Sequence, residues 1–70
     1  MLFAWMIWLF DRGGEQLRYE IQRERNGHYR VVITQPDGSE SAEEVEEPTE
    51  LIERAVQFMN SLRGDGWKVA

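Results

Sequence analysis

Two short runs in which apolar and polar residues alternate stand on either side of Asn26-Gly27, and this arrangement admits few folds. Leu17, Tyr19 and Ile21 alternate with Arg18, Glu20 and Gln22, while Tyr29, Val31 and Ile33 form the apolar side of the second run. A period of two marks a half-buried strand, and Asn-Gly between two such runs marks a hairpin. A two-residue turn at Asn26-Gly27 would set Ile21 opposite Val32 and Tyr19 opposite Thr34, sending the two apolar sets to opposite faces. A three-residue loop, Arg25-Asn26-Gly27 with Gly27 as a left-handed bulge, sets Ile21 opposite Val31 and Tyr19 opposite Ile33, which gathers one apolar face. The three-residue loop is therefore expected.

Gln35-Pro36-Asp37-Gly38 supplies the next turn, because proline presets the first corner and glycine accepts the positive φ that follows. The same loop logic pairs Gln35 with Ser39, Arg30 with Glu44 and Tyr29 with Val45. A third strand over residues 40–46 is mostly glutamate, a composition that blunts an exposed sheet edge. Glu47-Pro48-Thr49-Glu50 then opens a helix, with proline at its first position and carboxylates at the positive end of its dipole. Leu51, Ile52, Ala55, Val56, Met59 and Leu62 form one stripe, Phe58 borders it, and Gly64 is the expected stop. That stripe is expected to cover the Tyr19/Ile21/Val31/Ile33 face, with Trp67 folded over the end of the core. The fold class expected is α+β: a three-stranded antiparallel β-meander packed on one C-terminal amphipathic helix. Residues 11–70 form this single small domain, and residues 1–10 add an apolar segment as an extra short helix or strand.

A chain of 70 residues buries only about 60% of the surface it exposes when unfolded, so its stability is marginal. Without cysteine it has no disulfide and no thiolate zinc site, which fits a cytoplasmic protein. The net charge of −5 is unevenly spread. Residues 37–53 hold eight acidic side chains and no basic one, whereas residues 12–30 hold five arginines against three glutamates.

The first ten residues, MLFAWMIWLF, carry no polar side chain. A spanning helix needs about 20 such residues, and Asp11-Arg12-Gly13-Gly14 ends the run at half that length. A signal peptide would want a basic start and a small-residue cleavage site, and neither is present. A soluble chain is the expectation. Three readings of the decamer stay open: packing on its own domain, an apolar patch for self-association or a protein partner, and shallow insertion into a membrane surface. Phe3, Trp5, Trp8 and Phe10 are the candidate interaction surface. Met6 is a second candidate start, which would remove half of the segment.

The other chemistry-bearing residues read as structural. The glutamates at 40, 43, 44, 46, 47 and 50 lack the glycine and spaced aspartates of a calcium loop. His28 is the only histidine and sits at a hairpin tip, which is too little for a transition-metal site. Ser39, Ser41 and Ser61 have no nucleophile-elbow pattern around them. Gly13-Gly14 and Gly64-Asp65-Gly66 do not run from a strand into a helix, as a phosphate-cradling loop does. If residues 3–10 are helical, the order α-β-β-β-α is similar to the double-stranded-RNA-binding domain, a likeness of topology alone. That family grips phosphate with lysines at the start of its last helix, where this chain has Glu46-Glu47-Pro48-Thr49-Glu50, so nucleic acid is not an expected partner. Arg18, Arg23, Arg25 and Arg30 are instead expected to pair with glutamates. The function expected is a small non-enzymatic protein-interaction or self-association module, as a homodimer or with a protein partner. The alternative is a peripheral membrane protein anchored by the decamer. No cofactor, metal or small molecule is implied.

Overall fold

The strand that begins the sheet comes from the apolar decamer. In a computed structural model that describes the backbone of residues 2–70, and the side chains from Met6 onward, β1 (Leu2–Arg12) turns through Gly13-Gly14 into β2 (Glu15–Glu24). The chain continues as β3 (Tyr29–Thr34), β4 (Glu40–Val45), α1 (Pro48–Gly64) and β5 (Lys68–Val69). The sheet has five strands in the order β4-β3-β2-β1-β5, every neighbouring pair antiparallel. The architecture is thus α+β, with two differences from the expected meander. Of the two forms left open for the N-terminal segment, residues 2–10 take the strand, so the meander has four strands, and the residues after Trp67 add a fifth. The first element being β1, the likeness to an α-β-β-β-α topology does not hold. The physical reason lies in the pairing: Met6, Trp8 and Phe10 lie opposite Ile21, Tyr19 and Leu17, extending the apolar face of β2 by one strand. A register shift between Ala4 and Met6 marks a bulge near the start of β1.

Both loops take the three-residue form. Glu24 N–H donates to the His28 carbonyl at 2.8 Å, Gln35 N–H donates to that of Ser39 at 2.8 Å, and Gly27 and Gly38 take φ of 87° and 89°. Ile21 accordingly faces Val31, Tyr19 faces Ile33, Arg30 faces Glu44 and Tyr29 faces Val45. One apolar face results, and it carries the core of Phe10, Leu17, Tyr19, Ile21, Tyr29, Val31 and Val45.

Leu51, Leu62 and Trp67 complete that core from the other side, with Ala55, Phe58 and Met59 packed against it. Pro48 occupies the first turn of α1, and Leu51 N–H donates to the Glu47 carbonyl at 3.0 Å. The helix runs through Gly64, and its left-handed cap is Gly66, at φ 88°. Gly66 N–H donates to the Arg63 carbonyl at 3.1 Å and Trp67 N–H to that of Leu62 at 3.0 Å, the bond pair of a Schellman motif. That motif brings the residue after the cap onto the last helical turn, which is why Trp67 is buried beside Leu62. Arg12 closes the corner, its guanidinium 4.4 Å from the centre of the Trp67 ring and bonded to the Asp65 carbonyl at 3.1 Å.

The register makes opposite demands on two adjacent valines. Val31 is buried under α1, whereas Val32 lies on the outer face between Glu20 and Ala42. Val31→Lys is expected to unfold the domain, since an unpaired buried charge costs several kcal/mol against a stability of about 0.05–0.15 kcal/mol per residue. Val32→Lys is expected to melt close to the parent. Thermal melts of the two variants check this, and a reversed order would contradict the register.

Candidate functional site

The two long edges of the sheet differ in chemistry. β4 presents Glu40, Glu43 and Glu44, all exposed. Arg30 reaches Glu44 at 3.4 Å, the cross-sheet pair expected from the sequence, and also Glu24 at 3.5 Å. Arg54 on α1 holds Glu43 and Glu50, the latter at 3.0 Å. Hydrogen bonds to Glu43 and then Glu50 raise the guanidinium's already high pKa further. Such solvent-exposed pairs contribute little to stability. They dress the edge without closing it, and charge there discourages a further strand.

At the other edge β5 covers only the C-terminal end of β1. Phe10 and Asp11 pair with Val69 and Lys68, and Ala70 N–H donates to the Leu9 carbonyl at 2.8 Å. Backbone groups of alternate strand residues point to the same edge. Because Leu9 faces β5, Ile7 turns its N–H and carbonyl to that edge too, where no strand lies among the described residues. The edge of β1 over residues 2–8 is therefore open, and no residue of that segment is charged.

An apolar groove runs beside this edge. Met6 and Trp8 of β1 form one wall, Ile52, Ala55, Val56 and Met59 of α1 form the other, and Ile21 and Leu51 form the floor. Its volume is about 380 Å³ and every lining side chain is apolar. Ile52 is 64% exposed and Val56 52%, although both fall within the apolar stripe expected to be buried. The helix is turned about its axis relative to that expectation. Phe58, expected at the border, stacks on Tyr19 with ring centres 5.2 Å apart, and Arg54 reaches across to Glu43 of β4. Both contacts draw the β4 side of α1 down and lift Ile52 and Val56 out on the β1 side. On the outer face of the sheet Ile7 is 47% and Leu9 38% exposed.

The candidate residues of the decamer separate. Phe10 is in the core, and Trp8 is half-buried with its ring centre 5.7 Å from that of Tyr19. Phe3 and Trp5 belong to β1 by backbone, and their side chains lie outside the described residues. Sequence reasoning missed Met6, Ile7 and Leu9 from β1 and Ile52 and Val56 from α1. The parity of β1 against Phe10 would have separated the first three, but only once a strand was assumed.

The serines and the histidine are not brought together. Asp37 accepts from the Ser39 N–H at 2.9 Å and from its hydroxyl at 2.7 Å, closing the β3–β4 loop and lowering the Asp37 pKa. His28 sits at the other end of β3, roughly 20 Å away at strand rise, where its N–H donates to Asn26 Oδ1 at 3.0 Å. Among the described residues no three histidine or acidic side chains converge as metal ligands, and no helix is long and apolar enough to cross a membrane. No family model, curated protein or solved structure matches the chain.

Tyr19 gives the site a measurable signature. It is 1% exposed, and burial pushes its phenol above the ordinary value; Arg54 opposes the shift and Glu43 adds to it. A raised pKa means that neutral Tyr19 contributes stability in full below about pH 10, lost as pH rises through the folded-state value. Denaturant midpoints are therefore expected to fall above pH 10, and Tyr19→Phe is expected to flatten part of that fall. An identical alkaline slope in parent and variant would contradict the burial of the phenol.

Proposed function

We propose that this chain is a small non-enzymatic association module that works through β1 and the apolar groove between β1 and α1. The observation that carries this reading is the open, uncharged edge of β1 beside a wholly apolar groove. Single exposed apolar side chains are ordinary on any protein, but contiguous ones mark interaction sites. An open, apolar strand edge adds backbone donors and acceptors that another chain can satisfy. Within this reading Trp8 and Phe10 anchor β1 to the core, and Phe3 and Trp5 belong to the uncovered half of the strand.

Shallow membrane insertion through the same surface is the second reading, since tryptophans favour the interface. Glu53, exposed and next to Ile52 of the groove's helical wall, repels anionic lipid.

Ile52 and Val56 provide the test, because replacing two side chains that are already exposed leaves the core intact. The parent is expected to bind an apolar fluorescent probe such as bis-ANS. Ile52→Lys/Val56→Lys is expected to lose most of that binding while its melting midpoint stays near the parent's. A parent that binds no probe would contradict the association reading. Flotation of the parent with neutral phosphatidylcholine vesicles, in place of protein association, would favour the membrane reading.

A further inference from the structure

We infer that the occupant of the β1 edge is a second copy of this chain, added as an antiparallel strand so that two five-stranded sheets become one of ten strands. The inference rests on the association reading above and names its partner. Three observations carry it.

The first is self-complementarity. An antiparallel pair formed by one segment with itself is two-fold symmetric, the commonest symmetry of oligomers. The open segment is residues 2–8, bounded by β5, which occupies the edge at Leu9 and Asp11. Two such segments overlap over most of their length when the axis passes near Trp5, where the bulge between Ala4 and Met6 shifts which backbone groups turn to the edge. Ile7 of each copy then faces the start of the other's β1.

The second is charge. The chain carries −5 overall, so its copies repel one another at most approaches. Residues 2–10 carry no charge, and the acidic residues of β4 lie at the opposite edge of the sheet. Pairing through β1 sends both acidic edges to the far ends of the joint sheet. A strongly charged foreign partner would find no countercharge on residues 2–10.

The third is area. At about 3.4 Å per residue, the open segment of residues 2–8 runs about 24 Å along a molecule measuring 38 × 22 × 17 Å. A standard interface takes about 800 Å² from each partner, roughly one-sixth of this chain's 4853 Å². The contact would combine the open strand edge with the apolar groove beside it, on the same side of the molecule. Strand pairing keeps the two α1 helices on the same face of the joint sheet. Ile52 and Val56 of each copy then flank the seam, and the groove closes along with the edge.

Ile7 distinguishes this arrangement from other uses of the same surface. Its N–H points to the open edge and makes no bond within the described sheet, so Ile7→Pro removes a donor that the monomer does not use. Ile7→Lys keeps the N–H and sets a charge beside the seam, opposite Glu20 of its own strand pair. It serves where the proline variant does not fold. The experiment is light scattering of the full chain over a concentration series, with circular dichroism on each variant. The parent is expected at twice the monomer mass of 8.3 kDa. Ile7→Pro, or Ile7→Lys in its place, is expected as a folded monomer with a dimer dissociation constant raised about tenfold or more. A dimer that both folded variants leave unchanged would overturn the strand pairing while leaving association through the groove. A parent that is monomeric throughout yet binds bis-ANS would overturn the second copy and leave the association reading standing. A monomer that binds no probe would overturn both.

Discussion

Tyr19 stands where three parts of the molecule meet, and the rest of the arrangement follows from its contacts. It sits on β2 with Trp8 of β1 on one side, Phe58 of α1 stacked on its ring, and Ile33 of β3 opposite. The stack fixes the rotation of α1. With Phe58 over Tyr19 and Arg54 held by Glu43, Ile52 and Val56 cannot also point into the core, and they form the outer wall of the groove. The apolar surface left exposed is thus a consequence of how the core packs. A domain of 70 residues has little surplus apolar surface to leave in water, which makes its concentration along one edge informative.

The sheet treats its two edges differently. β4 is short and glutamate-rich, and Arg30 and Arg54 tie its carboxylates to the body of the domain. β1 is long and apolar, and β5 covers it only near Phe10 and Asp11. Charge, short strands and covering segments are the ordinary means of protecting an edge. All three operate at β4 or at the end of β1, and none operates along residues 2–8. In the proposed dimer this contrast would direct association to one side of the molecule.

How much was legible depends on whether each segment carries a readable contrast. The two bulged loops and the register across β2, β3 and β4 could be worked out because the apolar residues alternate and only one loop length gathers them on a single face. β1 could not be settled the same way. In MLFAWMIWLF no polar residue marks a face, so a period of two and a period of 3.6 fit equally well. The helix was legible in extent, but its stripe included Ile52 and Val56 because pattern alone does not register the Tyr19–Phe58 stack. Gly64 looked like the stop, yet the left-handed position fell to Gly66, which lets Trp67 reach Leu62. β5, at two residues, is too short to leave a pattern. The groove is formed by β1 and the rotated helix together, the two features that the sequence left undetermined.

Amide hydrogen exchange along both edges, resolved by residue in solution NMR and repeated at rising protein concentration, tests the contrast most directly. Ala42 and Glu44 of β4 alternate with the residues bonded to β3, so their N–H groups face the acidic edge, as that of Ile7 faces the apolar one. Exchange at Ile7 is expected to slow as concentration rises, while Ala42 and Glu44 continue to exchange freely. Equal and concentration-independent exchange at all three would contradict the claim that β1 is the associating edge.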